Sequence, residues 1–178
     1  MIGMNMKFND PQKNLDNSIK LFSDTLDELI SFNTNQDILD ILNEAKSIWT
    51  PIKAELSQAP KKDNVIKLSS DIDNLLDISN KATLAIAKTS KEATADIINI
   101  SGRQRMLSQR LASLYMLKVW EVSIDDEKLQ SAMVEFGDAH KKLIAFDKNS
   151  DDINSKLKSV KDDFLFFEIL GADRKSVV

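Results

Sequence analysis

Apolar residues recur along this chain at spacings of three and four, broken by turn-forming polar clusters, and that period predicts helices. Asp10-Pro11 combines an N-cap with proline at the first helical position. It opens a segment in which Leu15, Ile19, Phe22, Leu26, Leu29 and Ile30 share one face up to about Asn33. Thr34 or Asn35 caps a second segment, whose apolar side carries Ile38, Ile41, Leu42, Ala45, Ile48, Trp49, Ile52 and Leu56. Thr50-Pro51 is expected to kink or restart it. Asp63 starts a third, with a near-heptad seam of Ile66, Leu68, Ile72, Leu75, Leu76, Ser79, Ala82 and Ile86. Thr89-Ser90-Lys91-Glu92 reads as a capping box for a fourth helix running from near Lys91 to about Val122, with one helix unbroken from the third segment as the alternative. Asp125 and Ser150 cap two more, the last closed by Gly171 as a C-cap. The tail after Ala172 is expected to fray.

The chain therefore reads as one all-α domain, an antiparallel helical bundle with a four-helix core and five to six segments. Residues 10–57 form a first hairpin, 62–122 a long helical pair, and 125–171 a second hairpin. The two hairpins repeat each other. Leu15, Ile19, Phe22, Leu29, Ile30 and Phe32 match Leu129, Met133, Phe136, Leu143, Ile144 and Phe146 at a constant offset that also pairs Asn35 with Asn149. After one inserted residue, Ile38, Leu42, Ala45 and Trp49 match Ile153, Leu157, Val160 and Phe164. The helix preceding the second hairpin has a first-copy counterpart that would fall ahead of Met1, so an ancestral first copy of that helix is expected to be missing from this sequence.

Composition narrows the function. The 178 residues are 42% hydrophobic and 29% charged, enough for a sizeable core. A net charge of −4 argues against a nucleic-acid partner, which calls for a basic surface. With no cysteine there is no disulfide, thiolate metal site or cysteine nucleophile. No apolar run reaches the roughly 18 residues of a membrane span, and the first residues lack a signal peptide's apolar core. No nucleophile–base pair, glycine-rich phosphate loop or metal-binding motif stands out, so no enzyme activity, cofactor or metal is expected.

One stretch stands apart from this background. Ile98-Asn99-Ile100-Ser101-Gly102-Arg103-Gln104-Arg105-Met106-Leu107-Ser108-Gln109-Arg110-Leu111 sets a glycine and three arginines inside an otherwise regular helical pattern. A glycine in a helix interior costs about 1 kcal/mol relative to alanine, which suggests close approach of a backbone or ligand. At about 100° per residue, Ile100, Leu107, Leu111 and Leu114 form a core stripe. Ile98, Gly102, Arg105, Gln109, Ala112 and Met116 fall on the opposite side, flanked by Ser101, Ser108 and Ser113. Arg103 and Arg110 lie at the core boundary and read as structural or secondary. His140 and Trp49 read as packing positions, and Asp125-Asp126-Glu127 as a helix start. Phe164-Leu165-Phe166-Phe167 is broader than one helix face, a candidate apolar surface for a partner or second subunit.

The stretch from Ile98 to Leu111, with its continuation at Tyr115 to Leu117, resembles the signature of the PilJ/NarX-type sensor domain, also called the type IV pili methyl-accepting chemotaxis transducer N-terminal domain, most specifically from Gly102 to Arg110. The pattern of Leu26 to Ile30 followed by a cap at Asn35 and a helix carrying Trp49 is also similar to that family. The resemblance implies a sensory domain that binds a small oxyanion, nitrate or nitrite, at a two-fold dimer interface and relays binding by helix displacement to a signalling partner protein. It implies ligand roles for Gly102 and Arg105, and the residues beside them add Gln109 and Ser101. By the same resemblance the location would be periplasmic, with the cytoplasm open for a chain without a recognisable export signal. The competing expectation is a helical adaptor that has lost ligand binding.

Overall fold

The computed structural model describes residues 10–59, 61–89, 94–122 and 125–173, with side chains described as far as Ile169. Every described element is a helix: α1 (Pro11–Phe32), α2 (Gln36–Leu56), α3 (Lys62–Thr89), α4 (Ala95–Val119), α5 (Asp126–Ile144) and α6 (Asp151–Asp173). Helix packs on helix, as the periodicity predicts.

The caps follow the sequence closely. Asp10 accepts a hydrogen bond from the Lys13 amide, and Asn35 accepts from the amides of Asp37 and Ile38. Asp125 accepts from the Glu127 amide, and Ser150 Oγ from the Ile153 amide. Three expectations are corrected. The second segment does not restart at Pro51, because α2 runs through it; Pro51 lies on the exposed side, where the carbonyl left without an amide partner can face water. Gly171 lies within α6 rather than capping it. In α3 the buried seam is Leu75, Ile78 and Ala82, whereas Ile66 and Ile72 are exposed; Ile66 projects about 180° from Leu75, so the heptad register excludes it. The capping box and the choice between one helix and two after Thr89 fall partly on residues 90–93, outside the described residues, and so does the tail beyond Asp173.

The α4 C-terminus lacks the glycine usual there. Glu121 takes up the left-handed conformation (φ 57°), the Val122 amide donates to the Leu117 carbonyl, and the Glu121 amide donates to that of Lys118. This is a Schellman closure. Burial of Val122 fixes it despite the cost of a Cβ at positive φ.

The contacts divide the chain into two compact units. In the first, α1, α2 and α3 enclose a core of Ile19, Leu26, Ile38, Leu42, Trp49, Ile52, Leu75 and Ile78 with Ala45 and Ala82. The Trp49 ring packs on Phe22 with centroids 4.6 Å apart, and its indole N–H donates to Ser23 Oγ at 3.0 Å. Asn64 of α3 donates to Glu55 of α2 at 2.6 Å, which ties the ends of those helices together. A cleft of about 70 Å³ opens beside this link, among Leu15, Leu56, Val65 and Leu68.

The second unit contains α4 as far as Tyr115, together with α5 and α6. Gln104, Leu107, Leu111 and Leu114 of α4 are buried, as are Leu129, Ala132, Phe136, Ala139, His140 and Leu143 of α5. Phe136 packs on Phe164 of α6 at 4.5 Å, and Tyr115 meets Phe167 edge-on at 5.9 Å. None of the described α6 side chains is fully buried.

Candidate functional site

Helix α4 has two faces with different jobs. Its leucine stripe enters the core, and with it goes Gln104, a polar residue on the apolar side. Gln104 Nε2 lies 2.7 Å from His140 Nδ1 on α5. The His140 ring also stacks nearly parallel on Phe136. Burial holds the His140 pKa below its ordinary value of 6.5; the Leu157 backbone carbonyl works in the opposite direction, and the Lys161 charge adds to the lowering. A neutral ring with Nδ1 as acceptor satisfies the Gln104 amide. The sequence correctly marks His140 as a packing position. The polar bond to Gln104 was missed, although a glutamine inside a leucine stripe was its signal.

Arg103 sits at the core boundary, as expected, and its guanidinium pairs with Glu135 of α5. Arg110 is likewise half-buried. Arg103 ties α4 to α5, and the opposite face is left to Arg105.

Ile98, Ser101, Gly102, Arg105, Gln109 and Ala112 are all exposed. Met116, expected on this face, is half-buried instead. The Ser101 hydroxyl donates to the Ile98 carbonyl at 3.1 Å and the Ser108 hydroxyl to that of Arg105 at 2.7 Å, so both serines turn back onto their own helix. A Cβ built at Gly102 would meet nothing within 4 Å. Among the described residues, then, nothing requires a glycine there. No described residue forms an ion pair with Arg105. The four proposed ligand residues Ser101, Gly102, Arg105 and Gln109 thus share one open helix face carrying a cation and a bare backbone. Among the described residues no group of three metal-ligating side chains occurs, and no helix is long and apolar enough to cross a membrane.

Helix α4 thus sets its arginines between an apolar stripe on one side and a small, open polar face on the other. Residues 86–164 match the family model PilJ, described as the type IV pili methyl-accepting chemotaxis transducer N-terminal domain. That span takes in all of α4 and α5 and the first part of α6, and it bears out the resemblance drawn from the Gly102 to Arg110 stretch. No curated protein and no solved structure matches the chain.

Proposed function

We propose that the chain is a sensory domain in which the open face of α4 binds a small planar oxyanion, nitrate or nitrite, between two copies of the protein. The observation that carries this reading is the exposure of Gly102, Arg105 and Gln109 on one face, with no described residue within reach of a Gly102 Cβ. A glycine costs a lone helix about 1 kcal/mol, and contact with a second helix or a ligand offsets that cost.

The electrostatics favour an anion at such a contact. Two Arg105 guanidiniums facing each other at ~7 Å across a two-fold axis repel by roughly 2 kcal/mol at an effective dielectric near 20. An anion between them reverses the sign, and the planar fork of donors suits a planar oxyanion. Gln109 supplies a neutral donor on one side, and on the other the Ser101 hydroxyl would exchange its bond to the Ile98 carbonyl for one to the anion. Because the anion stabilises the paired state only, its binding shifts the packing equilibrium of the helices, and a displacement of about 1–2 Å is the usual scale of such relays. The partner that reads this shift is a signalling protein, and the module is non-catalytic.

Thermal-shift titration against nitrate, nitrite and unrelated anions tests the reading. Saturable stabilisation by a planar oxyanion, lost in Arg105→Ala with the helical content intact, is the expected result. No selective stabilisation of the folded wild-type chain overturns it and favours the helical adaptor.

A further inference from the structure

The internal repeat supplies a filled and an open version of the same groove. On α5, Glu135 pairs with Arg103 of α4, and Ala132 and Ala139 project to the Glu135 side and are buried. The equivalent positions on α1 are Ser18, Leu21 and Thr25, which are all exposed. Leu21 keeps 68% of its surface in water and Phe32 keeps 83%, while Phe146, the repeat counterpart of Phe32, is half-buried. The small Thr25 thus stands between the large apolar Leu21 and Phe32, with the small Ser18 one turn before Leu21, on a side that a helix occupies in the other copy. Glu28, also exposed, adds negative charge to this side.

We propose that this α1 face, Ser18, Leu21, Thr25, Glu28 and Phe32, is a docking site for a basic amphipathic helix of a separate polypeptide. The occupant has the chemistry of α4, with an apolar stripe spaced like Leu107, Leu111 and Leu114 and arginines at its edge. Charge selects it: α4 carries Arg103, Arg105, Arg110 and Lys118 against the single acid Asp96, whereas the open face carries Glu28 and no base. The repeat also specifies a difference. Leu21 stands where α5 has Glu135, so the partner presents an apolar residue at the place Arg103 holds in α4.

The test titrates a fluorescein-labelled peptide of residues 95–119 into the full chain and follows anisotropy. Saturable binding is expected, at least tenfold weaker for Leu21→Lys and for Thr25→Arg, weaker for Glu28→Lys, and tighter for a peptide bearing Arg103→Leu. Both Leu21 and Thr25 are exposed, so these variants keep the fold, which circular dichroism verifies. No binding, equal binding by wild type and the α1 variants, or equal binding of a scrambled peptide overturns the proposal. Self-association of the chain in sedimentation, abolished by Leu21→Lys, also overturns it, because a second copy would then be the occupant.

Discussion

The α1–α2 and α5–α6 hairpins are built from one pattern, yet their second helices live in different surroundings. Ile38 of α2 is 3% exposed and its counterpart Ile153 of α6 is 45% exposed; Ala45 is 2% exposed and Val160 is 38%. The difference comes from α3, which packs along α2 in the first unit, whereas α6 has no described counterpart to α3. Ile41 and Ile48 of α2 are half-buried against the first core; their counterparts on α6 are Lys156 and Asp163, both exposed. The repeat has been edited to suit its solvent.

The inner contact between the paired helices is preserved through a compensated exchange. Trp49 packs on Phe22 and donates to Ser23, while Phe164 packs on Phe136, and the position equivalent to Ser23 is Gly137. A Cβ there would stand 3.9 Å from the Phe164 ring, in ordinary contact. The donor and the acceptor have changed together, which leaves no orphaned polar group. The carbonyls of the equivalent residues Leu29 and Leu143 are also both capped by an asparagine amide, from Asn33 at 2.8 Å and Asn149 at 2.7 Å. Different positions supply the same bond.

The contrast in burial is the easiest part to break. Ile38→Asp is expected to cost about 3–5 kcal/mol by burying an unpaired charge, while Ile153→Asp costs under about 1 kcal/mol. Urea unfolding followed by circular dichroism measures both, and equal costs would mean that α6 is covered in solution. The next effect concerns His140, which takes the place of Leu26 in the repeat. Gln104→Leu leaves a buried ring nitrogen without its partner and is expected to cost about 1–3 kcal/mol. Adding His140→Leu restores the apolar arrangement of the first hairpin, so the double variant should recover much of the loss, a non-additivity that a double-mutant cycle reads directly.

His140 also separates the hairpins by pH. Its folded pKa lies below 6.5, so as pH falls the unfolded chain takes up the proton first and stability declines from about 6.5 downward until the folded ring itself protonates. Thermal melts between about pH 7.5 and 5.5, above the main carboxylate range, should show this decline in the wild type and a flatter profile in His140→Leu. The smallest effect is Ser23→Ala, about 1 kcal/mol, because it removes only the acceptor of the Trp49 indole N–H. The matching change in the second hairpin, Gly137→Ala, should cost less or stabilise, since alanine is the better helix former and its Cβ fits.

Much of this was legible in the chain. Caps such as Asn35 and Asp125 act through bonds between neighbouring residues, so local sequence suffices to find them. The two faces of α4 follow from helical geometry alone, and Ser101, Gly102, Arg105 and Gln109 do lie together. The bonds joining helices were harder. Glu135 as the partner of Arg103, and His140 as that of Gln104, depend on how α4 and α5 are rotated against each other, which periodicity fixes only to within a face. The α3 register failed at Ile66 for a related reason: an isoleucine counts as apolar wherever it falls, and only packing shows which ones are covered. Gly171 departs from its expectation because a glycine near a helix end reads as a stop, although a helix can run through one at a cost of about 1 kcal/mol.

Isothermal calorimetry with nitrate and nitrite on the wild-type chain and on Arg105→Ala tests the oxyanion-sensor reading most directly. Saturable binding at one anion per two chains, absent in Arg105→Ala, is the predicted result. No saturable heat from the folded wild type, or binding that survives Arg105→Ala, would contradict it.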